Sequence, residues 1–221
     1  MDSKELSNQL KKPTGDAGRE VAKALNDSNR RLYDLSFEMV DLEPNHRILE
    51  IGFGNGIHFP KYFKLEPKVT VVGVDFSEDM CREAKTHNTD LIHLGKLSIH
   101  CTDTSSLPFP DASFDLVVAI NVIYFLDPPE LHLKEIHRIL KTGGLFLIGF
   151  RPRHSVEHLE FTKQNFILYE TVELRQLAEE NGFEVVKEKT NTYQKVSVDE
   201  TEFEVKDSCI LAQKRQISKV G

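Results

Sequence analysis

The chain has 221 residues, the length of one generous domain or of two small ones. It is 39% hydrophobic and 29% charged, a composition typical of globular proteins. With 28 basic and 35 acidic residues its formal net charge is −7, which disfavours a non-specific nucleic-acid-binding protein, since such a protein needs a basic face. No apolar run is long enough to cross a bilayer, so we expect no membrane span.

The cysteine pattern and the first residues bear on the compartment. Cys81, Cys101 and Cys209 are odd in number and widely spaced, so no disulfide framework is expected. No Cys-x-x-Cys pair occurs, and we predict no metal site. Met1–Glu20 is polar and lacks the apolar segment of a signal peptide. These features indicate a reducing, cytoplasmic compartment.

The N-terminal region is predicted in two parts. Residues 1–16 are polar with a Pro-Thr-Gly break, which indicates a loose tail that folds over a site. Residues 17–42 carry apolar side chains at helical spacing, which predicts cap helices with a break near Asn26–Ser28. Arg30 and Tyr33 face either a substrate or, as we favour, a solvated or packed surface.

The most informative stretch follows, Ile-Leu-Glu-Ile-Gly-Phe-Gly-Asn-Gly at positions 48–56. An apolar strand, Arg47–Ile51, runs into Gly52, Gly54 and Gly56. Because glycine has no Cβ, the backbone can turn sharply there and a ligand can lie against it. A helix is predicted next, at Ile57–Phe63. A strand, a glycine turn and a helix form the first unit of a doubly wound nucleotide-binding sheet.

Two details of this turn distinguish between nucleotides. In the dinucleotide fingerprint G-x-G-x-x-G the third glycine would stand where this chain has Ile57. Glu50, near the strand end, would repel a pyrophosphate at the helix N-terminus but would suit an ammonium group. The pattern favours S-adenosylmethionine (SAM), which carries a sulfonium and an amino-acid tail and no phosphate.

The remaining core elements alternate between strands and helices, and the core is placed at residues 43–150. Further strands are predicted at Val69–Val74, Leu97–Cys101, Phe114–Ile120 and Leu145–Phe150. The continuous apolar character of Val69–Val74 is typical of a strand that is buried on both faces. Helices are predicted at Met80–Lys85, with Ser77 as the N-cap, at Pro129–Leu140, and at Thr171–Asn181, with Thr171 as the cap.

Residues 151–221 are predicted to form a substrate-side segment and a C-terminal hairpin. Phe183–Lys187 and Asp207–Gln213 are interpreted as its antiparallel pair. Between them, Glu188–Lys206 is either a hairpin extension or a mobile loop. Ile217–Gly221 is predicted to be a frayed tail.

Five stretches in order carry a resemblance to a known family. They are Glu50–Gly56, Val71–Ser77, Cys101–Asp103, Phe114–Val118 and Leu140–Gly144. The first resembles the SAM-binding motif of the class I SAM-dependent methyltransferases of the small-molecule type. The second resembles that family's acid-terminated second strand, the next two its third and fourth strands, and the last the turn before its fifth strand.

The resemblance covers about Leu35 to Leu211 and departs from the family at Thr142, where proline is usual. It implies an α/β fold with a doubly wound, Rossmann-like, mostly parallel seven-stranded sheet whose last strand is antiparallel. It also implies one domain that uses SAM to methylate a small-molecule substrate.

The resemblance assigns residues to the cofactor. Asp75 is expected on the ribose hydroxyls, because a carboxylate accepts two hydrogen bonds from a vicinal diol. Asp103 is expected at the adenine amino group. Phe76 and Met80 either flank the adenine or pack in the core. The predicted cofactor-binding residues are Glu50, Gly52, Gly54, Gly56, Asp75, Phe76, Met80, Asp103, Thr104 and Asn121.

No catalytic residue is assigned, because methyl transfer depends mainly on cofactor reactivity and positioning. A hydroxyl acceptor would benefit from a base, for which His154, His158 and Tyr124 are candidates. An amine or thiolate acceptor would need none. The two histidines also match the zinc-peptidase string H-x-x-E-H, but they follow an assigned strand and are expected to be exposed.

Two other functions stay open at this point. An NAD(P)-dependent oxidoreductase uses a similar sheet, although Ile57 and Glu50 argue against it. A methyltransferase-like protein that binds SAM without turnover would have the same motifs. The sequence does not indicate the oligomeric state.

Overall fold

The computed structural model describes residues 1–196 and 202–215, so the tail predicted at Ile217–Gly221 lies outside the described residues. Seven strands form one sheet. They are β1 Arg47–Ile51, β2 Thr70–Asp75, β3 Leu97–Cys101, β4 Phe114–Ile120, β5 Leu140–Phe150, β6 Phe183–Val196 and β7 Glu202–Lys214. The helices are α1 Ser3–Lys11, α2 Gly15–Phe37, α3 Pro60–Leu65, α4 Glu78–His87, α5 Thr89–His93, α6 Pro129–Ile139, α7 Arg153–Val156 and α8 Thr171–Glu180.

The strand order is β3-β2-β1-β4-β5-β7-β6. The first five strands in chain order are parallel, and β7 is antiparallel to both of its neighbours. The chain therefore moves outward from β1 in one direction and then restarts from β4 in the other. The ends of β1 and β4 form the switch point at which doubly wound sheets bind ligands. The predicted fold class is confirmed.

The two faces of the sheet bury separate apolar clusters. Successive strand residues point to opposite faces, so Leu49 and Ile51 enter one cluster while Ile48 enters the other. Glu50 shares the face of Ile48, toward α2. This alternation decides which strand residues can reach a ligand.

The helix after the glycine turn begins later in the chain than the sequence predicts. The backbone has positive φ at Gly52, Gly54 and Gly56, a region that favours glycine. α3 then begins at Pro60 instead of Ile57, because the turn extends to a hydrogen bond from the Phe59 amide to the Gly56 carbonyl. Proline fits the first helical position, where its missing N–H is not needed.

Residues 1–16 do not form the predicted loose tail, since α1 occupies most of them. Asp2 caps this helix by accepting a hydrogen bond from the Glu5 amide at 2.7 Å. The side-chain amide of Asn165 donates to Ser7 and Asn8, at 3.2 and 2.9 Å. The helix is therefore held by tertiary contacts that its polar sequence does not reveal.

The predicted break near Asn26–Ser28 is also wrong, because α2 is one helix of 23 residues. Asparagine and serine disfavour a helix interior only slightly. Leu32 and Leu35, in the C-terminal half of α2, are fully buried and fix that half against the sheet. This burial outweighs the weak propensity of the polar stretch.

The C-terminal region is a long hairpin. β6 and β7 pair from Phe183↔Lys214 to Val196↔Glu202, so the described part of 188–206 is a hairpin extension. β5 starts at Leu140, earlier than predicted, because an irregular register lets this residue pair with Phe114. The cap of α8 is Glu170 instead of Thr171, through a reciprocal box with Glu173.

Two further findings concern membrane-spanning helices and disulfide bonds. Within residues 1–196 and 202–215, no helix is both long and apolar enough to span a membrane. The three cysteines are all free thiols.

Gly73→Ala tests the packing of β2 against the glycine turn. An added Cβ would lie 2.6 Å from Phe59 and 2.8 Å from Phe53, so we expect a loss of about 1–3 kcal/mol in the free energy of unfolding. Urea denaturation measures it. Thr70→Ala, at an exposed position of the same strand, should change stability by only about 0.5 kcal/mol. Equal effects would contradict this packing.

Candidate active site

A cavity of about 470 Å³ opens at the carboxyl ends of the parallel strands. The glycine turn and the segments that follow β2 and β3 form one end of it. The segments that follow β4 and β5, together with β7, form the other end. Residues of α1 and α2 also line it. The cavity therefore lies across the switch point of the sheet.

Of the three glycines in the turn, Gly52 and Gly54 line this cavity, and Gly54 is the more open of the two. A Cβ at Gly54 would meet nothing within 4 Å, so the backbone there is open to a ligand. A Cβ at Gly52 would lie 2.3 Å from Val122, and one at Gly56 would lie 2.7 Å from Ala84. The outer two glycines thus allow close packing of the turn, and the middle one presents bare backbone.

Asp75 stands at the end of β2 with its carboxyl buried. One oxygen accepts a hydrogen bond from the Ser77 amide at 2.9 Å, and the other accepts from the Gly54 amide at 3.2 Å. Burial raises the pKa of Asp75 to about 6, although these amide hydrogen bonds lower it. Each carboxylate oxygen keeps a lone pair for a ligand hydroxyl.

Asp103 and Thr104 follow β3 and line the cavity beside this carboxyl. Asp103 accepts a hydrogen bond from the Ser105 amide at 2.7 Å. The Thr104 hydroxyl lies 2.6 Å from Nδ1 of His132, a buried residue of α6 that also lines the cavity. Phe76 and Met80 complete this part of the wall.

Glu50 and Gly56, which were predicted to bind the cofactor, do not line the cavity. Glu50 lies on the α2 face of β1, where it accepts a hydrogen bond from the Tyr33 hydroxyl at 2.7 Å. Tyr33 lines the cavity and stacks on His58, with ring centroids 3.7 Å apart. Burial raises the pKa of Glu50 to about 7 and lowers that of His58 to about 4. Glu50 therefore reaches the cavity only through Tyr33.

A polar network surrounds the end of β4. The Asn121 side-chain amide donates to Asn29 Oδ1 on α2 at 2.9 Å. The Tyr124 hydroxyl donates to Asn121 Oδ1 at 3.2 Å and accepts from the Arg151 amide. The Arg151 guanidinium binds Asp207 on β7 at 3.0 Å and the Ser28 carbonyl at 2.8 Å. This network joins β4, β5, β7 and α2 around the cavity.

The three residues considered as bases are separated. Tyr124 lines the cavity, but burial raises the pKa of its hydroxyl. His154 and His158 lie on the exposed surface and do not line the cavity. His154 is instead paired with Glu170, its Nδ1 lying 2.7 Å from the carboxylate.

Eight of the ten predicted cofactor-binding residues line the cavity. They are Gly52, Gly54, Asp75, Phe76, Met80, Asp103, Thr104 and Asn121. The sequence analysis missed His58, Asn29 and His132. His58 could have been found from its position directly after the glycine turn, whereas the other two stand on helices whose pattern gives no signal.

The sheet order, the open glycine turn and the strand-end carboxylates define a doubly wound nucleotide-binding α/β protein. Residues 49–148 match the family model described as a methyltransferase domain. The match covers 100 of the 221 residues and identifies this part of the chain as a methyltransferase domain.

Two relatives and one solved structure illustrate the similarity. Phosphatidylethanolamine N-methyltransferase of Cereibacter sphaeroides is 30% identical over 53% of this chain and 62% of its own length. A ubiquinone/menaquinone biosynthesis C-methyltransferase of Geotalea daltonii is 29% identical over 57% of this chain and 50% of its own length. The partner of the Trm112 methyltransferase activator of Haloferax volcanii superposes with a TM-score of 0.79 at 20% identity, over 92% of this chain and 96% of that chain.

The cavity residues fit the cofactor that this family uses. Gly54 offers bare backbone to an amino-acid tail, and Asp75 offers a forked acceptor to a ribose diol. Two carboxyl groups line the same end of the cavity, and they would repel a phosphate group. The arrangement therefore suits a cofactor without a phosphate.

The pH dependence of stability tests the burial of Glu50. Its pKa is raised from 4.5 to about 7, so the folded state holds a proton that the unfolded state releases. The free energy of unfolding should therefore fall as pH rises between these values, by up to about 3 kcal/mol for this group. Glu50→Gln should flatten the profile measured by urea denaturation. The exposed-site control Glu20→Gln should leave it unchanged, and parallel profiles for Glu50→Gln and wild type would refute the assignment.

Proposed function

We propose that this chain is a SAM-dependent methyltransferase that acts on a small-molecule acceptor. The observation that carries the proposal is one cavity that has the glycine turn and two strand-end carboxyl groups at one end and apolar walls at the other. A cofactor and a second small molecule can therefore meet at the end of β4.

In this proposal Asp75 binds the ribose hydroxyls, Asp103 binds the adenine amino group, and the backbone at Gly52 and Gly54 receives the amino-acid tail. Phe76 and Met80 flank the adenine, and Asn121 faces the methyl group. Each of these residues lines the cavity. Glu50 supports the site indirectly, by orienting Tyr33 through their hydrogen bond.

SAM, when bound, supplies an electrophilic methyl group on a sulfonium. The work of this chain is then to hold the two reactants in line and to keep water away. α1 and α2 cover the cavity, and the Arg151 network holds α2 against β7. Such positioning requires no catalytic triad.

A small molecule is favoured over a macromolecule, because the acceptor end of the cavity is roofed by helices and by the hairpin. The two relatives are named for phosphatidylethanolamine and for quinone biosynthesis. This chain aligns with only 62% and 50% of their lengths, so their acceptors are not carried over to it. The net charge of −7 also disfavours nucleic acid, and the free thiols support the predicted cytoplasmic compartment.

Replacing Asp75 tests the cofactor placement. Asp75→Ala removes a carboxylate whose hydrogen bonds to a ligand are worth about 1.5–3 kcal/mol, so the Kd for SAM should rise by more than about tenfold. Isothermal titration calorimetry measures it. Asp41→Ala, at an exposed carboxylate that does not line the cavity, should bind SAM as the wild type does. Unchanged affinity of Asp75→Ala would show that the cofactor lies elsewhere.

Cofactor binding and product formation distinguish this proposal from an oxidoreductase and from a non-catalytic SAM-binding protein. We expect SAM, and not NAD or NADP, to raise the melting temperature, because the glycine turn differs from the dinucleotide fingerprint at Ile57. An acceptor panel should then yield S-adenosylhomocysteine above the enzyme-free background. SAM binding without product from any acceptor would favour a non-catalytic protein, and stabilisation by NAD alone would favour an oxidoreductase.

A further inference from the structure

Two cysteines lie behind the cofactor end of the cavity. Cys81 belongs to the first turn of α4, and Cys101 is the last residue of β3. Their chain neighbours Met80 and Thr102 both line the cavity. Cys81 is buried, Cys101 is exposed, and both are free thiols. The function proposed above uses neither of them.

The sheet places both side chains on the same face. Because side chains alternate along a strand, Cys101 points to the same face of β3 as Leu97 and Ile99. Those two residues pack in the apolar cluster that also contains Cys81. α4 therefore covers the face of β3 from which the Cys101 thiol projects.

The backbone beside Asp75 brings the two thiols together. Asp75 pairs in register with Cys101. The Cys81 sulfur lies 3.5 Å from the Asp75 carbonyl oxygen and 3.8 Å from the His100 carbonyl oxygen. The second of these oxygens belongs to the peptide bond that joins His100 to Cys101. Burial raises the pKa of the Cys81 thiol, and a hydrogen bond with the Cys101 side chain raises it further.

The third cysteine is too far away to take part. Cys209 is on β7, which stands five strand positions from β3 in the sheet. At the usual strand spacing this is about 24 Å, whereas a disulfide needs Cα atoms about 4.4–6.8 Å apart. Cys209 instead contacts the Ser36 hydroxyl at 3.3 Å. Cys81 and Cys101 are therefore the pair that can join within one chain.

We propose that Cys81 and Cys101 form a reversible disulfide, which weakens cofactor binding when a small-molecule disulfide oxidises the pair. Formation of the disulfide depends only on the fold, whereas its effect on SAM rests on the proposed function. In the reducing compartment that the sequence predicts, disulfides are usually transient and redox-sensing.

The chemistry is two thiol–disulfide exchanges. The exposed Cys101 reacts first: its thiolate attacks one sulfur of the small disulfide, the S–S bond breaks, and one small thiolate leaves with the electron pair. Cys81 then loses its proton to solvent, and its sulfur attacks the Cys101 sulfur and expels the second small thiolate. The two protein thiols are oxidised, and the small disulfide is reduced to two thiols. The second exchange is the slower one, because the raised pKa of Cys81 disfavours its thiolate.

Oxidation changes the geometry beside Asp75. In the reduced state the Cys81 thiol and the Thr102 amide both donate to the Asp75 carbonyl, at 3.5 and 3.1 Å. The disulfide removes the thiol donor and holds the two sulfurs about 2 Å apart. The start of α4 is thereby drawn toward the end of β3, which displaces the cavity-lining Met80 and Asp103 relative to Asp75.

Oxidation of the full chain with glutathione disulfide tests the pair. Peptide mapping of the wild type by mass spectrometry should find the crosslink between Cys81 and Cys101, and dithiothreitol should remove it. Cys101→Ser should give neither a crosslink nor a glutathione adduct, because Cys81 is buried. Cys81→Ala should retain glutathione on Cys101, because the second thiol is missing. The matched control Cys209→Ala should form the crosslink as the wild type does.

Cofactor affinity is the second readout. Oxidation should raise the Kd for SAM of the wild type and of Cys209→Ala by about tenfold or more, the equivalent of one lost charge-assisted hydrogen bond. Isothermal titration calorimetry measures it. The same treatment should leave the Kd of Cys101→Ser at its own untreated value, and dithiothreitol should restore the affinity of the wild type.

The outcomes separate this inference from the proposed function. Absence of the crosslink in the wild type, or a crosslink between the Cys101 residues of two chains in its place, would overturn the inference, and neither result depends on the folding of a variant. A crosslink within one chain that leaves the Kd for SAM unchanged would overturn the control of cofactor binding. If the reduced chain does not bind SAM, the proposed function fails, while the peptide map still decides whether the pair forms.

Discussion

The site depends on one carboxyl group, that of Asp75. Its two oxygens accept hydrogen bonds from Gly54 in the turn after β1 and from Ser77 at the start of α4. These bonds join the ends of two neighbouring strands at the switch point of the sheet. The same carboxyl lies in the cavity wall, so the group that shapes the cofactor end is also available to a ligand. Because the Asp75 carboxyl is buried, its pKa is raised to about 6.

The roof of the cavity is assembled from parts that are remote in sequence. Pro13 and Gly15 contact the α4 start through Ser77 and Asp79, while α1 contacts Asn165 after β5. Arg151 ties α2 to β7 across the acceptor end. The N-terminal helices therefore touch both ends of the cavity, so the elements that exclude water also shape the acceptor space.

The core strands and most of the cofactor end were predictable from residue order, because their signals are local. β1, β3 and β4 have the predicted bounds, and Ser77 caps α4 as expected. The burial of Glu50 was not predictable, since side-chain alternation turns it toward α2 and not toward the cavity. α1 was missed because its polar sequence gains its order from distant contacts. The base candidates His154 and His158 were adjacent to the acceptor segment in sequence but face outward.

The sequence by itself determined the order of strands and helices, the glycine turn and the acids at the strand ends, because hydrophobic period and turn chemistry act over a few residues. Only the tertiary structure decided the acceptor end. Its apolar wall and its paired Arg151 arise where α2, the segment after β5 and β7 converge. α2 lies more than a hundred residues before the other two elements along the chain, and its contacts with them, such as that of Ser28 with Arg151, leave no periodic trace in the sequence.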